Sequence, residues 1–211
     1  YKGKPLGSIG HLAAFSFHET KNINAGEGGL LAINDDRFLD RAEIIWEKGT
    51  NRSEFFRGAV NKYGWVDLGS SFLPSEIIAA YLWAQLENLE DIQKKRIGIW
   101  DTYFKRLKVV AQKSEIGLPV IPDYATNNGH MFYLVCKSTE QRDSIISKLK
   151  ANEILSVFHY ISLHSSEYYK NKHDGRTLKE ADRYTETLLR LPMYYDLSEE
   201  EINKIIKILI A

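Results

Sequence analysis

Cysteine is almost absent from this chain: Cys136 stands alone among 211 residues. One thiol excludes an internal disulfide and any zinc site built on cysteine pairs, and a reducing, cytoplasmic setting is the simplest expectation. Net charge is absent as well, with 28 Lys and Arg against 28 Asp and Glu. That balance supplies neither the uniform basic field that grips nucleic acid nor an acidic tail. No run approaches the roughly 18 apolar residues of a membrane span, so neither nucleic acid nor membrane is expected as a partner. Tyr1-Lys2-Gly3-Lys4 has no initiating methionine and no signal-peptide core, which leads us to expect a piece of a longer protein. What remains is ordinary globular composition, 44% hydrophobic, enough for one sizeable core or two small ones.

Two short apolar runs, His11–Phe17 and Gly28–Ile33, read as buried strands around a polar loop in which Gly26 and Gly28 permit a tight turn. Asp35 and Asp36 suit the N-cap of a helix over Arg37–Glu47. Residues 48–74 show no sustained period and hold four glycines and Pro74; so long an irregular stretch in a compact protein is expected to touch a ligand or partner. From Ser75, apolar residues at three- and four-residue spacing run to Leu107, one long helix or two in tandem, interrupted near Gln93-Lys94-Lys95-Arg96. A domain boundary is placed there, dividing the chain into 1–95 and 96–211. Beyond it the pattern predicts strand Met131–Cys136, helix Glu140–Asn152, strand Leu155–Tyr160, helix Leu178–Leu188 and short strand Leu189–Pro192. A last helix follows Ser198, with Glu201 completing a capping box. Alternating strands and helices indicate an α/β or α+β small domain.

Several residues bear chemistry. Lys21 sits in a polar loop after a strand: either a solvated amine, or a partly desolvated lysine able to act as a nucleophile. Ser16, five residues earlier, either bonds to backbone or offers its hydroxyl to a phosphate in the same loop. Arg52 and Arg57 have the paired donors that suit a diphosphate, against a reading as solvated surface. His159 and Tyr160 end a strand, where a histidine is either a hydrogen-bonded core residue or one of the few polar anchors of an apolar pocket. His159 and His164 lack an evident third ligand, so no metal is expected. The run Glu199-Glu200-Glu201 suits a helix start without any function, and the four tryptophans are expected in a core or dimer interface.

The run Ser16-Phe17-His18-Glu19-Thr20-Lys21-Asn22, followed by Gly26-Glu27-Gly28-Gly29, resembles the pyridoxal-phosphate lysine motif of the DegT/DnrJ/EryC1/StrS sugar aminotransferases. The likeness continues through Glu47–Arg52, Phe55–Gly58, Lys62–Ser71, His130–Tyr133, Val157–Ile161 and Leu191-Pro192. It looks most like one branch, the dTDP-4-amino-4,6-dideoxygalactose transaminases. The resemblance implies an α/β protein of the pyridoxal-phosphate fold type I, aspartate aminotransferase-like. Residues 1–95 would be the C-terminal part of the cofactor-binding large domain and 96–211 the small C-terminal domain. The acid that pairs with the pyridine nitrogen and the aromatic that stacks on its ring would lie in a preceding half, and the isolated fragment is expected to be inactive.

The implied reaction is transamination. Glutamate would give its nitrogen to the cofactor, which passes it to C4 of a 4-keto-6-deoxy nucleotide sugar for surface polysaccharide or lipopolysaccharide synthesis. Lys21 would hold pyridoxal phosphate covalently and then move the proton; a dehydratase branch carries His there, so lysine favours transamination. Ser16 would contact the cofactor phosphate, and His159, Tyr160, Arg52 and Arg57 would serve the nucleotide sugar. A homodimer is implied, with residues 48–74 reaching the neighbouring site. There the family often has Asn within the stretch Gly69–Leu73, where Ser70 or Ser71 stands instead, and Ser162 replaces a Pro common in close relatives. Another keto nucleotide sugar remains the alternative substrate.

Overall fold

The computed structural model describes residues 1–210. The chain divides into two compact units, Tyr1–Leu89 and from Glu90 onward.

The first unit opens with an antiparallel hairpin, β1 (Leu12–Ser16) and β2 (Gly29–Ile33), in the register Leu12↔Ile33 to Ser16↔Gly29. Both runs are strands as their apolar character predicts, but they are not buried. Leu12 and Leu31 are about half exposed on one face, Phe15 and Leu30 on the other. The physical reason is that two strands alone bury neither face; each needs a packed layer. A single 3-10 turn, Asp36–Phe38, capped by the Asp35 carboxylate on the Arg37 N–H at 3.1 Å, leads into α1 (Leu39–Trp46). The stretch expected to be irregular contains a short helix, α2 (Arg52–Phe56). Its remainder is held by hydrogen bonds rather than by regular structure. Helix α3 (Glu76–Glu87) begins at Ser75, whose hydroxyl accepts from the Ile78 N–H.

Helix α4 (Leu89–Lys113) follows directly. The interruption falls at Asn88, whose side chain donates back to the Ala84 carbonyl, and not at Gln93–Arg96. Those four polar residues continue the helix because Arg96 has carbonyls to satisfy. Its Nε donates to Gly129 O at 3.1 Å and its Nη2 to His130 O at 2.7 Å, so a buried guanidinium pins the 129–130 turn.

The second unit holds a three-stranded antiparallel sheet in the order β3 (Phe132–Val135), β5 (Leu188–Leu191), β4 (Val157–Phe158). Helix α5 (Thr139–Lys150) lies between β3 and β4, and α6 (Lys179–Thr187) precedes β5. Strand β4 is shorter than the expected Leu155–Tyr160, and Leu188 begins a strand rather than ending a helix. Because strand residues alternate faces, Phe132, Leu134, Leu189 and Leu191 share one side. They pack with Ile99, Trp100, Tyr103 and Leu107 of α4, Leu149 of α5, and Ile202, Ile205 and Ile206 of α7 (Glu199–Ile210). The capping box at α7 forms as its spacing predicts: Glu201 N–H donates to Ser198 Oγ, and Ser198 N–H donates to Glu201 Oε2 at 2.8 Å. Of the tryptophans only Trp100 enters this core. Trp46, Trp65 and Trp83 are exposed at 42%, 84% and 64%, in a unit where Ala25 is the one buried hydrophobic residue among those described.

Candidate active site

The β1–β2 connection places the lysine loop. The hairpin ladder continues past its strands, with Phe17 N–H donating to Gly28 O, Glu19 N–H to Gly26 O and Ala25 N–H to Phe17 O, all within 2.8 Å. Gly26 takes φ +75°, the left-handed conformation that closes the turn. Lys21 sits at the tip of this clasp, its own N–H donating to His18 O at 2.9 Å. Its side chain is half-buried, and no carboxylate pairs with it among the described residues. Of the two acids in the loop, Glu19 and Glu27, the second lies 3.5 Å from His18 Nε2. His18 Nδ1 in turn accepts the Thr20 N–H at 3.1 Å. Ser16 ends β1 opposite Gly29, and its hydroxyl weakly accepts the His18 N–H at 3.4 Å, leaving its own proton free for a further acceptor. A lysine without a counter-ion and a serine hydroxyl on one glycine-closed clasp fit a group that has both an electrophilic carbon and a phosphate.

Residues 47–71 form a second feature of the same unit. Isolated bridges Glu47↔Ser71 and Thr50↔Trp65 draw two loops together. They meet so closely at Gly49 that a Cβ there would lie 1.9 Å from the Asp67 carbonyl oxygen, so no other residue fits. Between them opens a cleft of about 450 Å³ lined by Glu47, Lys48, Thr50, Arg52, Tyr63 and Trp65. Arg52 reaches it, with its guanidinium 4.9 Å from the Phe56 ring and 3.5 Å from Glu47 Oε1. Arg57 does not line it. It makes a two-pronged pair with Glu43 at 2.9 and 2.8 Å, and those hydrogen bonds hold the Glu43 carboxyl below its ordinary range.

His159 and Tyr160 belong to the second unit, just past β4. The rings meet edge to face at 5.2 Å. Tyr160 is largely exposed, whereas His159 Nδ1 is enclosed and has no hydrogen-bond partner among the described residues. Burial, and then the charge of Arg190, push the His159 pKa below its ordinary value, so the imidazole is neutral near pH 7. Arg190 is the residue that the apolar periodicity of Leu188–Leu191 concealed. It lies on the central strand opposite Tyr133 and Val157, its Nε is enclosed without a hydrogen-bond partner among the described residues, and its guanidinium stands 5.9 Å from the Tyr160 ring. A lone charge among leucines was the available signal. His164 is engaged by Asp182 at 2.8 Å. Glu47, likewise buried with an unpartnered oxygen, also escaped a reading based on residue type.

The fold is that of part of a fold type I aminotransferase. The chain belongs to the DegT/DnrJ/EryC1/StrS aminotransferase family, whose sequence profile matches residues 1–210. Aminotransferases of this family bind pyridoxal phosphate. The spore coat polysaccharide biosynthesis protein SpsC of Bacillus subtilis (strain 168) is 28% identical over 222 residues, covering 98% of this chain and 55% of SpsC. The solved structure of DesV from S. venezuelae, in complex with a ketimine intermediate, superposes with a TM-score of 0.85. It is 26% identical and covers all of this chain and 53% of DesV. The sugar aminotransferase Spr1654 of Streptococcus pneumoniae, in its PMP form, gives a TM-score of 0.83 at 26% identity over 99% of this chain and 54% of its own. The chain thus spans about half the length of the relatives it matches. No helix among the described residues is long and apolar enough to cross a membrane.

Proposed function

We propose that the protein is a sugar-nucleotide aminotransferase that moves nitrogen from glutamate to C4 of a dTDP-linked 4-keto-6-deoxy sugar, yielding dTDP-4-amino-4,6-dideoxygalactose for surface polysaccharide or lipopolysaccharide. The observation that carries this reading is Lys21, half-buried at the tip of a glycine-closed hairpin with no carboxylate among the described residues to neutralise it. Pyridoxal phosphate, when bound, supplies the electron sink that stabilises charge at the carbon losing or gaining a proton. The rest falls to side chains. Lys21 anchors the cofactor and, once displaced, moves the proton; its lack of an ion pair leaves the amine available for both. Ser16 donates to the phosphate from the end of β1. Arg52 meets the substrate diphosphate, while neutral His159 and the exposed Tyr160 face the sugar nucleotide. Arg57 serves that diphosphate only by exchanging its bond to Glu43.

In this reading residues 1–95 are the C-terminal part of the cofactor domain and residues 96–211 the small domain. The protein works as a homodimer in the cytoplasm, and the chain alone is inactive. Ser70 or Ser71 takes the place of the family's partner-reaching Asn. The half-exposed faces of β1, β2 and α3 favour further protein packed on them. Regiochemistry is tested by supplying the complete gene product with glutamate and either dTDP-4-keto-6-deoxyglucose or its 3-keto isomer. Amination of the 4-keto sugar alone is expected; amination of the 3-keto isomer alone would reject the proposed substrate.

A further inference from the structure

Glu47 is buried to 9% exposure, yet its Oε2 has no hydrogen-bond partner among the described residues. Its other oxygen, Oε1, is 3.5 Å from Arg52 Nη1. A buried carboxylate oxygen that has given up water and gained no donor is destabilising unless something else supplies the donor. The backbone that carries this side chain is pinned on both sides. Glu47 N–H donates to Glu43 O at 3.1 Å, Lys48 N–H to Ser70 O at 3.1 Å, Gly49 N–H to Ile44 O at 2.7 Å, and Thr50 Oγ1 to Glu47 O at 2.8 Å. Lys48, a non-glycine residue, is held at φ +65° in this run. Glu47 is one of the residues that line the 450 Å³ cleft, together with two cations, Lys48 and Arg52, and two aromatic rings, of which Trp65 is 84% exposed. Rotation about the last side-chain torsion, which is broad for a carboxylate, lets either oxygen turn to the cleft while the other stays with Arg52.

We infer that Glu47 is a specificity-determining acceptor. It takes a hydrogen bond from a neutral O–H or N–H donor of a phosphorylated, ring-bearing ligand, whose anionic group meets Arg52 and Lys48 and whose ring lies on Trp65. This rests on the nucleotide-sugar reading above and assigns to it a residue and a chemical demand. A ligand with phosphate but no donor satisfies the cations and leaves Glu47 unpaired, so the cleft discriminates against it.

The test is titration calorimetry of the complete gene product with dTDP-glucose, dTDP and inorganic pyrophosphate, comparing wild type with Glu47→Gln. The amide keeps one acceptor, which Arg52 claims, and turns an NH2 donor toward the ligand's donor. Binding of dTDP-glucose is expected to weaken about tenfold, with pyrophosphate unchanged or tighter. If dTDP is unaffected, the donor is on the hexose; if dTDP weakens equally, it is on the thymidine; either supports the inference. Equal binding of dTDP-glucose by the two proteins, or equal loss of all three probes, overturns it while the nucleotide-sugar reading stands. A wild type that binds neither nucleotide rejects that reading and the inference together. Should Glu47→Gln fail to fold, Trp65→Ala, at an exposed position, is expected to weaken dTDP-glucose binding severalfold, and unchanged binding there overturns the assignment of the cleft.

Discussion

The two units of this chain are built on opposite terms. From Glu90 onward, helices α4, α5 and α7 and strands β3 and β5 close on a core whose central members, Tyr103, Phe132, Leu149 and Leu189, are fully enclosed. Up to Leu89, Ala25 is the one buried hydrophobic residue among those described, while Leu12, Phe15, Leu30, Leu31, Ile77 and Trp83 stand about half exposed or more. Yet the unpaired Lys21, the Ser16 hydroxyl and the cleft at Glu47 all lie in this poorly buried unit. Stability resides in one unit and most of the candidate chemistry in the other. Residues that serve a site are held here by backbone hydrogen bonds and close glycine approaches more than by apolar packing.

The largest expected effect separates the two roles. In the complete gene product, Lys21→Ala is expected to reduce transamination about a thousandfold, with the thermal midpoint unmoved. Loss of stability in place of loss of rate would break the division. In the second unit, Leu189→Ala removes a fully buried side chain at the centre of the sheet and is expected to cost about 3 kcal/mol in urea unfolding. Its counterpart Leu31→Ala, at a position 52% exposed, is expected to change the stability of this chain by about 0.5 kcal/mol or less. Measuring Leu31→Ala again in the complete gene product sharpens the contrast, since a cost near that of Leu189→Ala would mean that the hairpin face is covered there. Ser198→Ala removes the α7 cap and is expected to cost about 1 kcal/mol.

A further effect is a pH dependence, confined to alkaline solution. Burial pushes the Cys136 thiol up to about 11, whereas an unfolded thiol ionises near 8.5. The folded state thus holds the proton more tightly, so this contribution is complete below the unfolded pKa and is lost as pH rises toward 11. Urea midpoints for wild type and Cys136→Ala are expected to run parallel from pH 6 to 8. Above that, the wild type should fall faster.

Much of the second unit was legible in the sequence because its residues answer to one another. Ile202, Ile205 and Ile206 recur at helical spacing and are buried together, and Ser198 with Glu201 caps the helix they start. The hairpin was legible as strands but not as exposed ones, since alternation and apolar character do not say whether a second layer lies within the same chain. The break at Asn88 was misplaced because Gln93–Arg96 reads as a polar gap, and only the fold reveals that Arg96 turns inward to two carbonyls. At the candidate site, Lys21 and Ser16 stood out through their motif. Glu47 did not, because an unpartnered buried atom is a property of the surroundings and leaves no mark on spacing; Arg190 was marked only as a lone charge among leucines.

The most direct test is covalent. The complete gene product would be incubated with pyridoxal phosphate, reduced with borohydride and digested, and the pyridoxyl-bearing peptide located by mass. The account predicts the label on Lys21. A label on another lysine, or none, would contradict it and leave the fold without its proposed chemistry.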